Sequence, residues 1–290
     1  MVKRYIKRIL STISPTLETK LAYKKSFGKK LDLKNPQTIN EKILWLKLNN
    51  YNNNEIITKC ADKYRLREYL KEKNMEFLLP KMYGNYDNAD EIEWTKLPDS
   101  FVIKCNHGCG YNIIVKNKND FNFEDVKKQL NEWMKTDYWK EGGEIQYKYI
   151  KKKIVIEEFL KDVEDYKFYC FNGLPKIMYV STSEWENNIF MKDKYLDFFD
   201  MNFNRIECQL KGHPNYSGNL EYIKNFEKMK ELAQKLSEDF PFVRVDLYDS
   251  NGKIYISELT FIPTAGFMHL TPKKLELEWG KMLNISNLNK

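Results

Sequence analysis

The sequence predicts an α+β fold with an appended helical N-terminal region. Helical patterning dominates residues 1–80, whereas short apolar strands alternate with amphipathic helices from residue 101 onward. The last two of these strands are separated by Asn251-Gly252, a dipeptide that favours a tight β-hairpin turn. With 42% hydrophobic residues over 290 positions, the chain can bury a large core and is not expected to be disordered.

The composition also limits where the chain can work. No stretch approaches the roughly 18 apolar residues of a membrane-spanning helix. Serine and threonine interrupt the apolar run near the amino terminus, so a secretory signal is not expected there. The five cysteines are widely spaced, so we expect reduced thiols in a cytoplasmic protein. Cys105, His107 and Cys109 form a possible metal cluster, but one short loop without a second set of ligands does not match a zinc site.

Positive charge is concentrated at the amino terminus. Residues 1–34 contain ten basic and two acidic residues, a net charge of +8, while the whole chain carries +7. Apolar residues such as Tyr5, Ile9 and Ile13 are interspersed with these bases. Two interpretations remain open: a segment that meets an anionic membrane surface or an acidic polymer, or a solvated helix packed on the domain. Nucleic-acid binding is not expected, because the rest of the chain has no concentrated basic face.

Two helices are predicted before the first strands. Thr38 and Glu41 have the spacing of a capping box, which predicts a helix that continues through Leu48. A second helix is predicted from about Ala61 to Lys73. Pro80 and Gly84 then mark a change of pattern, so we expect one region over 1–80 and another over 81–290.

The second region combines strands with two helices. Phe101 to Lys104 is a short apolar strand, and Tyr111 to Val115 is expected to return antiparallel to it after a glycine-containing turn. Phe123 to Lys135 and Leu220 to Glu238 have helical periodicity. The other predicted strands are 154–156, 166–171, 176–181, 242–248 and 253–260.

The final hairpin carries the strongest chemical pattern. Side chains alternate across a strand, so Arg244 and Asp246 share one side of the first strand, and Glu258 and Thr260 share one side of the second. Two neighbouring carboxylates repel each other and need a cation. Mg²⁺ favours a few carboxylates together with phosphate oxygens, and arginine can hold a phosphoryl group. The alternative is an Arg–Glu pair on a solvated sheet face.

Three other motifs are weaker by themselves. Lys104 precedes a loop with two glycines, and glycine lets backbone amides approach phosphate oxygens, although an ordinary hairpin turn has the same pattern. Glu157 and Glu158 end an apolar strand, which suits either a nucleotide-binding hinge or a solvated strand end. Asp62 lies near the start of a predicted helix, where a carboxylate interacts favourably with the helix dipole, so no functional role is needed to explain it.

Together, these motifs and their order resemble the TupA-like branch of the ATP-grasp superfamily, named for a protein of teichuronopeptide biosynthesis. The similarity extends over nearly the whole chain from residue 35 onward. Its blocks are residues 35–42 (NPQTINEK), 61–65 (ADKYR), 104–108 (KCNHG), 165–168 (DYKF), 240–248 (FPFVRVDLY) and 258–261 (ELTF).

The resemblance implies an ATP-grasp fold, in which two α+β lobes hold the nucleotide around a hinge near residues 157–160. It implies ATP as a cofactor, with Mg²⁺ or Mn²⁺. The residues implied to bind ATP are Lys63, Lys104, His107, Gly108, Gly110, Glu157, Glu158, Phe159, Leu160 and Lys167. The implied catalytic residues are Arg244, Lys104, Asp246 and Glu258, and the implied metal ligands are Asp246, Glu258 and Thr260. Thr260 departs from the family pattern, which often has asparagine there.

The function implied by the resemblance is that of an ATP-dependent carboxylate–amine ligase that acts through an acyl phosphate. The substrates implied are an amino acid or similar amine and a uronic-acid-containing cell-surface polysaccharide, such as a capsule, or its lipid-linked precursor. With the basic amino terminus, this suggests a cytoplasmic enzyme at the inner membrane face. The alternatives are a glycosyltransferase-like enzyme of polysaccharide biosynthesis and a non-catalytic module that binds nucleotide or glycan.

Overall fold

Helices surround the strands and make up most of the amino-terminal region. The computed structural model describes residues 2–186, 189–216, 218 and 222–288. The helices are α1 (Val2–Ile13), α2 (Pro15–Phe27), α3 (Ile39–Asn49), α4 (Glu55–Ala61), α5 (Leu66–Glu72), α6 (Phe123–Lys135), α7 (Trp139–Gly142), α8 (Phe226–Ser237) and α9 (Lys274–Met282). Within this described part, no helix is both long and apolar enough to cross a membrane.

Two antiparallel sheets form the framework of the molecule. The strands are β1 (Met82–Tyr86), β2 (Phe101–Cys105), β3 (Asn112–Val115), β4 (Ile154–Glu158), β5 (Val163–Phe171), β6 (Leu174–Glu186), β7 (Ile189–Asp200), β8 (Gln209–Leu210), β9 (Phe242–Ser250), β10 (Lys253–Thr260) and β11 (Leu270–Thr271). The first sheet has the order β1-β4-β2-β3, the second has the order β10-β9-β5-β6-β7, and β11 pairs with β8. The predicted α+β class is confirmed.

Each sheet has its own hydrophobic core. The first sheet packs against α6 through residues such as Ile103, Ile156 and Leu130. The second sheet packs against α8 in a larger core that also includes residues of α3, α4 and α5. The helices before residue 80 therefore contribute to the core of the second sheet. The division of the chain at residue 80 remains a prediction.

Local sequence signals explain where several elements begin and turn. The Thr38 hydroxyl accepts a hydrogen bond from the Glu41 amide, and the Glu41 carboxylate accepts one from the Thr38 amide, so the predicted capping box begins α3. Asn251 and Gly252 have φ angles of 54° and 83° and form the predicted turn between β9 and β10.

Two predicted helix boundaries were wrong. The helix expected from about Ala61 begins only at Leu66, as α5, because the Asp62 carboxylate accepts hydrogen bonds from the backbone amides of Tyr64 and Arg65 and stabilises a turn there. The preceding helix, α4, was not predicted. The later helix, α8, begins at Phe226 and not at Leu220. Residues 219–221 lie outside the described residues.

The amino-terminal helices both pack on the domain and expose apolar side chains. In α1, Arg8 lies 3.5 Å from Glu141, and the Ser11 hydroxyl donates a hydrogen bond to the Lys140 carbonyl. The large exposed apolar side chains of α1 and α2 are Tyr5, Ile6, Ile9, Ile13, Leu17 and Leu21. We call these six residues the apolar stripe.

Candidate functional site

The hairpin of β9 and β10 brings a cation and two acids together. In the strand register Asp246 is opposite Glu258 and Arg244 is opposite Thr260, after a bulge between Ile256 and Glu258. The Arg244 guanidinium donates two hydrogen bonds to Asp246, at 2.7 Å from Nε and 2.5 Å from Nη2. Nη2 also donates to the Thr260 hydroxyl at 3.1 Å, and that hydroxyl donates to Glu258 at 3.3 Å. The four side chains therefore form one hydrogen-bonded cluster.

This cluster is mostly shielded from solvent, with 12% of the Arg244 side chain and 24% of the Glu258 side chain exposed, so the interpretation as a solvated sheet face does not hold. Asp246 is only 1% exposed. Burial raises the pKa of Asp246 to about 6, and the nearby charges of Arg244 and Lys167 oppose that rise. For Glu258, burial alone would raise the pKa, but Lys63 and Arg244 outweigh it and lower the pKa. Lys63 and Arg244 therefore favour the ionised form of the Glu258 carboxylate.

Lys63 connects the hairpin cluster with the glycine loop, residues 106–110. Its ammonium group donates a hydrogen bond to the Gly108 carbonyl at 2.6 Å and lies 3.8 Å from Glu258 Oε2. The turn between α4 and α5 carries Lys63, and Asn106 anchors that turn by donating to Asp62 at 2.8 Å. Lys63 is thus held at a fixed point between the two sheets.

Lys104 takes part in a second ion cluster on the first sheet. Its ammonium group lies 2.7 Å from one oxygen of Glu157, and Arg67 Nη2 lies 2.8 Å from the other oxygen. Burial favours a raised pKa for Glu157, but Lys104 and Arg67 together lower it. Arg67 was not predicted from the sequence. In the helix predicted from about Ala61 to Lys73, Arg67 would follow Lys63 by four residues on the same face, which is the signal that could have identified it, although the structure places Lys63 in the turn before α5.

The glycine loop is closely packed on one side and open on the other. A Cβ atom on Gly108 would lie 2.6 Å from Cγ of Tyr138, whereas one on Gly110 would meet nothing within 4 Å. Gly110 also has a φ of 74°, which favours glycine. A side chain at Gly108 would therefore collide with Tyr138, whereas any other residue at Gly110 would have a strained backbone but free space around its side chain.

His107 is part of this loop, and its side chain is turned inward and only 2% exposed. Its Nε2 is 3.1 Å from the Trp133 carbonyl oxygen, and burial lowers the pKa of the imidazole to about 4. Its Nδ1 is buried and has no hydrogen-bond partner among the described residues. The ring therefore packs in the neutral form beneath the loop, and its role in binding ATP remains a prediction.

The other predicted nucleotide-binding residues are spread over two strands. Lys167 on β5 is opposite Asp246 in the strand register and forms an ion pair with Asp165, so it borders the hairpin cluster. Glu158 ends β4, where its carboxylate accepts a hydrogen bond from the Lys81 amide at 3.3 Å. Phe159 and Leu160 follow directly and are partly buried. Their roles also remain predictions.

The donor atoms of the hairpin suit a hard divalent ion. In the part of the chain that the structure describes, no group of three or more His, Cys, Asp and Glu side chains is arranged to hold a metal. Asp246, Glu258 and the Thr260 hydroxyl nevertheless offer adjacent oxygen ligands, the type that Mg²⁺ and Mn²⁺ prefer when phosphate oxygens complete the shell. Arg244 donates one hydrogen bond to each oxygen of Asp246, so a metal ion at this carboxylate would compete with the guanidinium for its oxygens.

Two further buried charges near the site were missed. Glu144 is 8% exposed, and burial raises its pKa to about 7, with Glu258 contributing to the rise. Lys47 is fully buried, and its ammonium has no hydrogen-bond partner among the described side chains and backbone groups. Lys47 lies inside an apolar helical run, and this position is the sequence feature that could have identified it as buried.

A model of the TupA-like ATP-grasp family matches residues 41–284. A comparison with curated protein sequences gives no match.

Among solved structures, an L-amino acid ligase from Bacillus licheniformis is 13% identical, with a TM-score of 0.48, over 86% of this chain and 55% of the ligase. A D-alanine–D-alanine ligase from Bacillus anthracis, solved in complex with ATP, is 14% identical, with a TM-score of 0.42, over 71% and 54% of the two chains. The match thus spans about half the length of these structures.

Proposed function

Because the chain belongs to the TupA-like ATP-grasp family, we propose that it is an ATP-dependent ligase that phosphorylates a carboxylate and joins it to an amine. The family assignment confirms the ATP-grasp fold expected from the sequence. The observation that carries the proposed activity is the hydrogen-bonded cluster of Arg244, Asp246 and Glu258, with Lys63 between this cluster and the glycine loop. Such a cluster suits the terminal phosphates of ATP.

In this proposal the cations hold the triphosphate. Lys63 and Lys104 offset its negative charge, and the open backbone around Gly110 approaches the phosphate oxygens. Asp246, Glu258 and Thr260 would hold Mg²⁺ or Mn²⁺, which would supply charge neutralisation at the phosphates. The buried setting strengthens each of these interactions, because little water screens them.

Arg244 acts on the reacting groups. Transfer of the γ-phosphoryl group to a substrate carboxylate forms an acyl phosphate and ADP, and attack by an amine then releases phosphate. Arg244 is 3.7 Å from Glu258 and can turn from these acids toward an acyl phosphate, where its planar donors match two phosphate oxygens. Its role is to steady the developing charge.

For the substrates, we propose an amino acid or similar amine and an acidic cell-surface glycan or its lipid-linked precursor. The high positive charge of residues 1–34 supports a polyanionic substrate. The apolar stripe, flanked by exposed Lys20, Lys24 and Lys25, supports contact with the anionic inner face of the membrane. In this proposal the ligase works in the cytoplasm beside a membrane-linked acceptor.

The activity is tested by incubating the purified protein with MgATP, a panel of amino acids and a panel of uronic-acid glycans. We expect ADP to form only when both an acid and an amine are present, together with a conjugate whose mass equals the sum of both less one water. Nucleotide binding without ADP formation for every pair would contradict the ligase proposal. Transfer from a nucleotide-sugar without ATP consumption would favour a glycosyltransferase instead.

A further inference from the structure

A second pocket lies away from the hairpin cluster, between the end of α2 and the paired strands β8 and β11. It has a volume of about 710 Å³ and shares no residue with the candidate ATP site. This volume falls within the usual range for small-molecule sites, about 300–1,000 Å³. The pocket is therefore large enough for one or two sugar rings.

Two lysines supply positive charge to the pocket. Lys211 lines it from the turn after β8, and Lys273 lines it from the start of α9. Both lie near the ring of His269: burial lowers the pKa of His269, and these two ammonium groups lower it further. Lys211 and Lys273 therefore lie on the same side of the pocket as His269, although they come from segments about 60 residues apart in the sequence.

The same wall contains a fixed ring surface. The Phe27 and His269 rings are stacked with their centroids 4.3 Å apart. Ser26 Oγ lies 2.7 Å from His269 Nε2, and this hydrogen bond fixes the orientation of the imidazole. Rings that are held in place in this way provide a flat apolar surface for a ligand without loss of side-chain entropy on binding.

A buried acid completes the pocket. Glu276 is 4% exposed and lines the pocket from α9. Its carboxylate accepts a hydrogen bond from the Leu270 backbone and lies near the Lys273 ammonium group, and Gln209 of β8 adds an amide oxygen to the pocket lining. The pocket therefore offers acceptors for ligand hydroxyl groups beside the two lysines.

We propose that this pocket binds an anionic sugar, with its carboxylate or phosphate on Lys211 and Lys273, its ring against Phe27 and His269, and a hydroxyl group on Glu276. A simple anion leaves the ring surface and Glu276 unused. A neutral sugar leaves both cations unused. The combination of charge, rings and acceptor therefore selects a sugar that carries an acidic group.

The pocket extends the proposed function, because it would be the binding site for the acidic glycan that is the proposed acceptor. The inference rests on that proposal only for the identification of the bound sugar as the acceptor. Binding itself requires no ATP and no ligase reaction, so the two proposals can fail separately.

The test is calorimetric titration of the full chain without ATP. The ligands are tetragalacturonate, glucose 1-phosphate, neutral maltotetraose and inorganic phosphate. We expect one of the two acidic sugars to bind, which also distinguishes a carboxylate from a phosphate, and we expect much weaker binding of maltotetraose and inorganic phosphate.

A pair of double variants assigns the binding to the pocket. Lys211→Ala with Lys273→Ala should lower the affinity for the acidic sugar by about tenfold or more, because the substitutions remove charge-assisted hydrogen bonds. The matched control is Lys228→Ala with Lys274→Ala, two exposed lysines outside the pocket, which should leave the affinity unchanged.

Failure of both acidic sugars to bind, equal affinity for maltotetraose or phosphate, or the same loss in both double variants would overturn the proposal. ATP affinity is measured in parallel. If ATP binds normally while no acidic sugar does, the pocket assignment fails and the ligase proposal stands. If the acidic sugar binds but ADP never forms, the ligase proposal fails alone.

Discussion

Asp246 and Glu258 are opposite each other across β9 and β10, and Arg244 lies between them, 2.5 Å from Asp246 and 3.7 Å from Glu258. The buried carboxylate of Asp246 and the partly buried carboxylate of Glu258 would repel each other without a cation. Arg244 and Lys63 supply positive charge in the present arrangement. A divalent ion with a triphosphate can take over that role when ATP binds.

Glu157 provides a test of the ion cluster on the first sheet. Glu157→Gln should lower the free energy of unfolding by about 3 kcal/mol, because it leaves the partly buried Lys104 and Arg67 without their carboxylate. Urea unfolding at neutral pH measures the change. The neighbouring Glu158→Gln is the matched control and should cost much less, since Glu158 makes one backbone contact at 3.3 Å. Equal losses in both variants would contradict the role of this cluster.

His107 should make the protein sensitive to mild acid. Its pKa in the folded state is lowered to about 4, below the ordinary value of 6.5, so the unfolded chain binds a proton more readily. Stability from the neutral ring is therefore complete above pH 6.5 and is lost as the pH falls toward 4, by roughly 3 kcal/mol.

The measurement is urea unfolding of the wild type and of His107→Asn between pH 7 and pH 4. Carboxylates titrate over part of this range in both proteins, so the difference between the two curves isolates the imidazole. We expect the variant to lose less stability on acidification. Parallel curves would show that His107 is not buried in the neutral form.

The apolar stripe should mediate binding to anionic membranes. Ile9→Ser with Ile13→Ser should reduce sedimentation with vesicles that contain phosphatidylserine, because these side chains are exposed and would enter the interface. Phe77→Ser is the control, since Phe77 is 58% exposed but lies outside the stripe.

Binding should also weaken as salt increases, because the flanking lysines act through screened charge. Neutral phosphatidylcholine vesicles should bind much less than anionic ones. If the stripe variant and the Phe77 variant sediment like the wild type, or if vesicle charge has no effect, the helices pack on the domain without a membrane role.

Local signals in the sequence predicted much of this molecule, because the deciding contacts are close in the chain. The capping box at Thr38, the Asn251-Gly252 turn and the alternation that places Arg244 beside Asp246 all depend on residues within a few positions of each other. The break at Asp62 was missed because a carboxylate that accepts hydrogen bonds from the next amides is also typical of a helix start, and Asn106, which holds Asp62 in the turn, is 44 positions away. Arg67, Lys47 and Glu144 were missed because contacts between residues far apart in the sequence determine the burial and the charged partners of these side chains.

The central claim is that Asp246 and Glu258 hold a divalent ion against the phosphates of ATP. Calorimetric titration of ATP with and without Mg²⁺ tests it in the wild type, Asp246→Asn and Glu258→Gln, with circular dichroism to check folding. Glu227→Gln, an exposed acid on α8, is the control. We predict that Mg²⁺ strengthens ATP binding in the wild type and the control, and that both site variants lose this effect while remaining folded. Full Mg²⁺ dependence in both folded site variants would contradict the account.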